Sequence, residues 1–367
     1  MTDNKKRFEY IDSMRAIAAL LVVWLHTSEE FVKFAKPSLQ DGMYDIAHLF
    51  DFGRIGVVVF FVISGFVIPS SLTGSQLEGV RTFLIKRFFR MYPLYWLSIP
   101  FGLFTSWYIW DKDISVPAIF WNFTMVQEAA GYPSIQGLYW TLQTELVFYG
   151  LCVLLFIAGV LRSVWVLAAL AALFTIAHLG PPILAVVGIT VPSIRNPALG
   201  TMCLNLGVMF WGALFRSWSD NKALPFVVKL ALVGFVVAWC CLALYAVKMY
   251  SVNPAYWELC VPYAMGVLLF GVLAISKKVT FPLLVWLGTI SYSIYLFHPV
   301  VLYSVSRLVQ VSEFEWIKGW TTGAYMLLTL LLTVVVSAIT YRYVELPAMR
   351  FGSAVSNRQT LTARVTQ

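Results

Sequence analysis

The feature that most constrains this chain is a series of ten apolar runs, each about 17–25 residues long, separated by short polar stretches. An α-helix of that length crosses the hydrocarbon core of a bilayer. Charged residues make up only 12% of the sequence, about half of the roughly 25% found in soluble domains. The sequence therefore predicts an all-α polytopic membrane protein. The predicted spans are 11–28, 54–73, 92–110, 138–160, 163–180, 198–215, 224–248, 257–276, 283–305 and 319–341.

Lysine and arginine are distributed unevenly over the segments between these runs. With the N-terminus inside, eighteen of the 26 fall on the cytoplasmic side and eight on the outer side. By the positive-inside rule this predicts that both termini are cytoplasmic. The net charge of +8 is then explained by cytoplasmic loops and does not indicate a nucleic-acid partner.

Two segments outside the spans need an interpretation of their own. Segment 113–137 is too long for a turn and rich in aromatic residues, so we interpret it as an interfacial or re-entrant segment on the outer side. The transmembrane domain is predicted over 8–345, followed by a polar, disordered cytoplasmic tail at 351–367.

The five cysteines have no metal-type spacing, and no metal site is predicted.

The first run joins a cation to an imidazole. Arg15 and His26 are eleven residues apart, almost three helical turns, so they share a face and lie roughly 16 Å apart along the axis. With Arg15 at the cytoplasmic headgroups, His26 lies past the middle of the hydrocarbon core, where an ionisable residue is costly and indicates function. The alternative is a histidine that only hydrogen-bonds between packed helices.

A second candidate site is the basic segment 81–93 on the predicted cytoplasmic side. Arg87 and Arg90 are three residues apart and therefore neighbours on a helix face. A guanidinium group can bind two phosphate oxygens at once. The adjacent Phe88 and Phe89 are expected to anchor the cations at the bilayer interface. The segment predicts a phosphate-binding site; the alternative is a solvated loop that only obeys the positive-inside rule.

Further polar and small residues lie inside the apolar runs. Glu145 is expected near the depth of His26, approached from the opposite side, so we predict that its carboxylate partners the imidazole. The alternative roles for Glu145 are a structural hydrogen bond or a proton relay.

Ser64 and His298 are possible site-lining residues, each with a structural role as the alternative. His298 precedes Pro299, which breaks the local helical hydrogen bonding. In the second run, Gly56 and Gly65 are expected to let that helix pack closely against the first.

Together these segments resemble the acyltransferase family 3 of bacterial inner-membrane acyltransferases, from about residue 8 to 350. The resemblance implies about ten transmembrane helices. It also implies transfer of an acyl group, usually acetyl, from coenzyme A to a hydroxyl of an extracytoplasmic glycan. The matching segments are Asp12 with the Arg15-to-His26 spacing, Gly56 to Gly65, Arg87 to Pro93, Trp140 to Tyr149, Gly288 to His298, and Val344 to Pro347.

The resemblance implies that His26 is the catalytic histidine and that Arg87 and Arg90 face the donor. Together with Arg15, these arginines would hold the phosphate head of acyl-CoA while its pantetheine arm runs up the Arg15–His26 face. Glu145 would orient His26, which either is acylated itself or only deprotonates the acceptor. At Gln143–Glu145 the chain departs from many members, which carry a second acid beside the glutamate.

The expected partners are thus acyl-CoA as a substrate, a cell-surface or lipid-linked glycan and the lipid bilayer, with no permanently bound cofactor. Exopolysaccharide, O-antigen and another envelope glycan all stay open as acceptors. A transporter or flippase with a His/Glu proton relay is the alternative from a different class. It explains the buried ionisable residues equally well but not the basic aromatic segment. A different membrane-bound acyltransferase fold is a third reading.

Overall fold

A computed structural model describes residues 9–35, 41–186, 188–194, 196–220, 223–276, 279–312 and 315–365. This part of the chain is helical, which confirms the predicted all-α class. Within it, nine helices are long and apolar enough to cross a membrane, and each overlaps one of nine predicted spans. The predicted span 283–305 is divided at Ile290, and its long helix is Ser291–Val311. The helices are α1 (Glu9–Phe31), α2 (Asp41–Leu49), α3 (Phe52–Ser71), α4 (Gln76–Leu103), α5 (Val116–Asn122), α6 (Tyr139–Ile157), α7 (Val164–Val186), α8 (Pro197–Asp220), α9 (Phe226–Met249), α10 (Ala255–Ser276), α11 (Pro282–Thr289), α12 (Ser291–Val311), α13 (Glu315–Lys318), α14 (Thr322–Thr340) and α15 (Leu346–Val365).

The third predicted span, 92–110, is the one that differs. It forms the second half of α4, whose first half is the basic segment, and a π-helical turn over Phe104–Ile109 continues it. Within α4 the residues Met91–Leu103 are uncharged, and the π-helical turn continues this uncharged helix to Ile109, close to the length that a spanning helix needs. The basic segment is therefore not a loop, because it forms one continuous helix with the residues that follow it.

The C-terminal segment also differs from the prediction. After α14 a π-helical turn over Tyr341–Glu345 leads into α15, so residues 351–365 are helical where a disordered tail was expected. The rings of Phe351 and Phe89 lie 5.2 Å apart, and this contact packs the start of α15 against α4. Residues 1–8 and 366–367, to which the predicted cytoplasmic termini belong, lie outside the described ranges.

Segment 113–137 contains no helix long enough to span, since α5 has only seven residues. Side chains of α4 donate hydrogen bonds to backbone carbonyls at the C-terminal end of α5. The Tyr95 hydroxyl donates to the Asn122 carbonyl at 2.5 Å, and the Trp96 indole donates to the Phe123 carbonyl at 2.9 Å. Irregular backbone is tolerated at membrane depth only where such partners satisfy it, so these contacts fit an interfacial or re-entrant segment.

The chain divides into two compact units. The first comprises Met1–Gly56, Leu77–Gln143 and Val279–Gln367, and the second comprises Val57–Gln76 and Thr144–Lys278. In the first unit α1 packs against α11, α12 and α14. In the second, α7 packs against α8 and α9 against α10. One apolar core of the first unit is formed by Phe31, Val301, Leu302, Val305, Val309, Tyr325 and Met326.

Glycines mark the closest helix contacts within each unit. A Cβ atom at Gly56 would overlap the Ala18 carbonyl oxygen of α1, as the sequence predicts. A Cβ at Gly65 would overlap the Met209 carbonyl of α8. The closest contact of Gly65 is therefore with α8, and its packing against the first run stays a prediction.

Gly288→Ala is expected to destabilise the first unit, because the new Cβ would overlap the carbonyl oxygen of Asp12 on α1. Overpacking of this kind costs about 1–3 kcal/mol, which exceeds the gain of about 1 kcal/mol from replacing a helical glycine. The measurement is thermal unfolding of the purified protein in detergent. The matched control is Gly271→Ala on α10, where nothing lies within 4 Å of the added atom. Equal unfolding temperatures for the two variants would contradict the close contact.

Candidate active site

The histidine of the first helix is hydrogen-bonded to a second histidine. His26 Nδ1 lies 2.9 Å from His298 Nε2, and the planes of the two rings differ by only 10°. His26 is partly buried and His298 is fully buried. His298 thus contacts the candidate catalytic residue directly, which favours the site-lining interpretation over a purely structural one.

The backbone around His298 holds its other ring nitrogen. His298 Nδ1 lies 2.8 Å from the Tyr295 carbonyl oxygen and 3.2 Å from that of Ile294. The Tyr295 hydroxyl is itself within 2.8 Å of the Thr141 hydroxyl. Both nitrogens of the buried imidazole therefore have partners, and its ring orientation is fixed.

Glu145 lies in the second unit, whereas His26 lies in the first. Within the second unit its Oε1 accepts from the Tyr149 hydroxyl at 2.5 Å and from the Ser64 hydroxyl at 3.2 Å. Ser64, predicted as a possible donor to a ligand, thus donates to Glu145. The pairing of Glu145 with His26 stays a prediction.

At one end of α1 lies a cluster of charged groups, which we call the inner charge cluster: Asp12, Arg15, Arg90 and Glu345. Arg15 Nη1 is 3.3 Å from Asp12 Oδ1, and Arg90 Nη1 is 2.6 Å from Glu345 Oε1. The Glu345 side chain is fully buried, and its second oxygen accepts from the Ser293 hydroxyl at 2.7 Å. The cluster combines two cations with two carboxylates.

The two arginines predicted to face a donor together have different surroundings. Arg90 is held by Glu345 and by the Met349 sulfur, whereas the guanidinium of Arg87 lies 5.6 Å from the centre of the Phe83 ring. Sequence reasoning missed Glu345 as the partner of Arg90. The signal that could have found it is a lone acid directly after an apolar span, which at membrane depth needs a cation.

The opposite end of α1 carries a second polar contact that the sequence analysis missed. The first predicted span ends at residue 28, but α1 continues to Phe31 and Glu30 is buried. Its two oxygens accept from Ser306 at 2.5 Å and from Lys33 at 2.7 Å. Because His26 pairs with His298, and Glu30 with the later Ser306, α1 and α12 run in the same direction. The His26–His298 and Glu30–Ser306 pairs therefore lie along the interface between α1 and α12.

The chain is similar in sequence to known acyltransferases. A family model described as an acyltransferase domain matches residues 8–342. The chain is 23% identical, over 95% of its length, to the peptidoglycan O-acetyltransferase OatA of Listeria monocytogenes, of which it spans 57%. It is 24% identical to nodulation protein 10 of Rhizobium leguminosarum bv. viciae, with 95% of each chain covered. No solved structure matches it significantly.

The family match covers nearly the whole chain, and it includes the histidine pair and, of the inner charge cluster, Asp12, Arg15 and Arg90. The chain therefore belongs to the acyltransferase family 3, and it is a multi-pass membrane protein.

Proposed function

We propose that this protein transfers an acyl group, usually acetyl, from cytoplasmic acyl-CoA to a hydroxyl of an extracytoplasmic glycan, with His26 at the reacting centre. The observation that carries the proposal is the position of His26. Its partly buried imidazole lies on α1 between the inner charge cluster and the Glu30 contact. One end of this line would receive the donor and the other the acceptor.

The chemistry requires a base near a thioester in a site with little water. The imidazole takes the proton of the acceptor hydroxyl while the oxygen attacks the thioester carbonyl. The carbon–sulfur bond then breaks, and the proton returns to the coenzyme A thiolate. An acyl-imidazole intermediate would divide the same transfer into two steps. Arg15 and His26 are roughly 16 Å apart along α1, which suits a donor whose phosphate head and thioester are separated by an extended pantetheine arm.

The acceptor class is supported by a relative whose name is peptidoglycan O-acetyltransferase. We propose a glycan of the bacterial envelope and a location in the inner membrane. The test compares envelope glycans by mass spectrometry in three strains: one with the intact gene, one without it, and one expressing His26→Ala. We expect one acyl modification present only in the first. An unchanged set of modifications in all three would overturn the proposal.

Arg87→Ala is expected to raise the KM for acyl-CoA about tenfold or more, because one charged hydrogen-bond donor to phosphate is lost. The measurement is the initial rate in proteoliposomes at varied donor concentration. Arg81→Ala is the matched control, since it removes the same charge from the same helix and its side chain is exposed. An equal KM for acyl-CoA in both variants would show that Arg87 does not bind the donor. Its charge would then serve only to keep this segment on the cytoplasmic side.

The predicted topology can be tested at two exposed serines, Ser75 before α4 and Ser115 before α5. In a background without the five native cysteines, an impermeant maleimide should label Ser115→Cys in spheroplasts. Ser75→Cys should react only after the membrane is permeabilised. The reverse pattern would invert the orientation, and with it the side from which the donor arrives.

A further inference from the structure

We propose that His298 is a positioning residue. It holds His26 in the tautomer that carries its proton on Nδ1, so that Nε2 is the basic nitrogen. This inference rests on the proposed function, since it assigns the group that prepares His26 for the reaction. It gives His26 a second histidine as a partner, while the predicted pairing with Glu145 stays a prediction.

The assignment begins at the backbone. Carbonyl oxygens only accept hydrogen bonds, so His298 Nδ1, at 2.8 Å from the Tyr295 oxygen, must carry a hydrogen and donate it. A fully buried imidazole beside another imidazole is expected to be neutral, because burying an unpaired charge is costly. A neutral ring protonated on Nδ1 has a lone pair on Nε2.

The lone pair on His298 Nε2 in turn determines the tautomer of His26. His298 Nε2 can only accept, so the hydrogen of the 2.9 Å bond belongs to His26 Nδ1. The neutral His26 ring then has its lone pair on Nε2. The hydrogen bond made by one ring nitrogen thus determines which nitrogen of His26 is basic.

Pro299 explains why the Tyr295 carbonyl is available. In an α-helix the amide of residue 299 would donate to the carbonyl of residue 295, but proline has no N–H. The Tyr295 carbonyl, which lacks this amide donor, instead accepts a hydrogen bond from the imidazole of His298. The adjacent His298 and Pro299 therefore act together, one supplying the donor and the other leaving the acceptor open.

During transfer His298 would not take up a proton. The acceptor hydroxyl gives its proton to His26 Nε2 as its oxygen bonds to the thioester carbon and the carbon–sulfur bond breaks. The imidazolium keeps its Nδ1 hydrogen bond to His298, which strengthens because the donor is charged. The proton then leaves Nε2 for the thiolate.

The kinetic test compares His298→Gln with His298→Phe in proteoliposomes. The glutamine amide oxygen can accept from His26 Nδ1, whereas phenylalanine fills the ring space without an acceptor. We expect His298→Phe to lower kcat about 100-fold with little change in either KM, and His298→Gln to stay within about tenfold of the wild type. Equal losses in both variants, or normal kcat in His298→Phe, would overturn the positioning role.

A direct test uses the wild-type protein and so does not depend on variant folding. The sequence contains four histidines, so ¹⁵N-histidine NMR in detergent can resolve the rings, with signals assigned from His26→Gln and His298→Gln. We expect hydrogen on Nδ1 in both His26 and His298. Hydrogen on Nε2 of His26 would overturn the inference and leave the proposed function standing. That function fails separately if His26→Ala still transfers acyl groups.

Pro299→Ala should weaken the tautomer preference, because the new amide competes for the Tyr295 carbonyl.

Discussion

His26→Ala is expected to reduce acyl transfer by about a thousandfold or more while the protein stays folded in the membrane. The loss of a general base or nucleophile costs a factor of about 10²–10⁴ or more, and no other group would replace this imidazole. The measurement is transfer of a labelled acyl group by purified protein in proteoliposomes, normalised to the folded fraction. Donor binding should persist, because the inner charge cluster lies almost three turns away.

A packing variant on the same helix separates chemistry from structure. Leu25 is buried beside His26, and Leu25→Ala removes apolar contacts without touching a polar group. We expect it to lower the unfolding temperature and to leave the turnover of the folded fraction close to normal. If instead Leu25→Ala lost transfer and His26→Ala kept it, the histidine would be structural and the proposed mechanism would fail.

Arg90→Ala is expected to cause the largest loss of stability, about 3–5 kcal/mol, because it leaves the buried carboxylate of Glu345 without its cation. Glu345→Gln should cost less, since a neutral amide can still accept from Ser293. Combining both changes should recover part of the stability lost in Arg90→Ala. Unfolding temperatures of the two single variants and the double variant form the double-mutant cycle.

The same cycle distinguishes an internal ion pair from a donor site. If Arg90 mainly binds donor phosphates, Arg90→Ala will unfold at the wild-type temperature and change only the KM for acyl-CoA. The structure favours the first outcome, since the guanidinium is bound to a carboxylate that has no access to solvent. Arg87 then stays the better candidate for a phosphate contact.

The fold was largely predictable because membrane helices depend on local composition. Nine of the ten apolar runs overlap a helix long enough to span, and the position of His26 within the first followed from counting residues. The start of the third run was misjudged because the helix begins earlier, at Gln76, and includes the charged residues before the run. The end of α1 was misjudged because Glu30 looks like a loop residue until Ser306 and Lys33 are placed beside it.

Side-chain partners were much less predictable than helices. Depth alone suggested Glu145 for His26, but depth says nothing about which helices are neighbours. The choice of His298 depends on α1 and α12 running side by side, which no local pattern reveals. Glu345 was recognised as part of a motif and not as a partner, because its cation lies 255 residues earlier. Only tertiary contacts identify such pairs.

The distance in sequence between the two histidines also has a consequence for biogenesis. His298 lies 272 residues after His26, so α1 leaves the ribosome long before the helix that completes the pair. Until then the imidazole and the Glu30 carboxylate must enter the bilayer without their final partners, and each lowers the tendency of α1 to insert. The histidine pair is therefore assembled at the end of synthesis, and chains that stop before α12 should expose a polar first helix to membrane quality control.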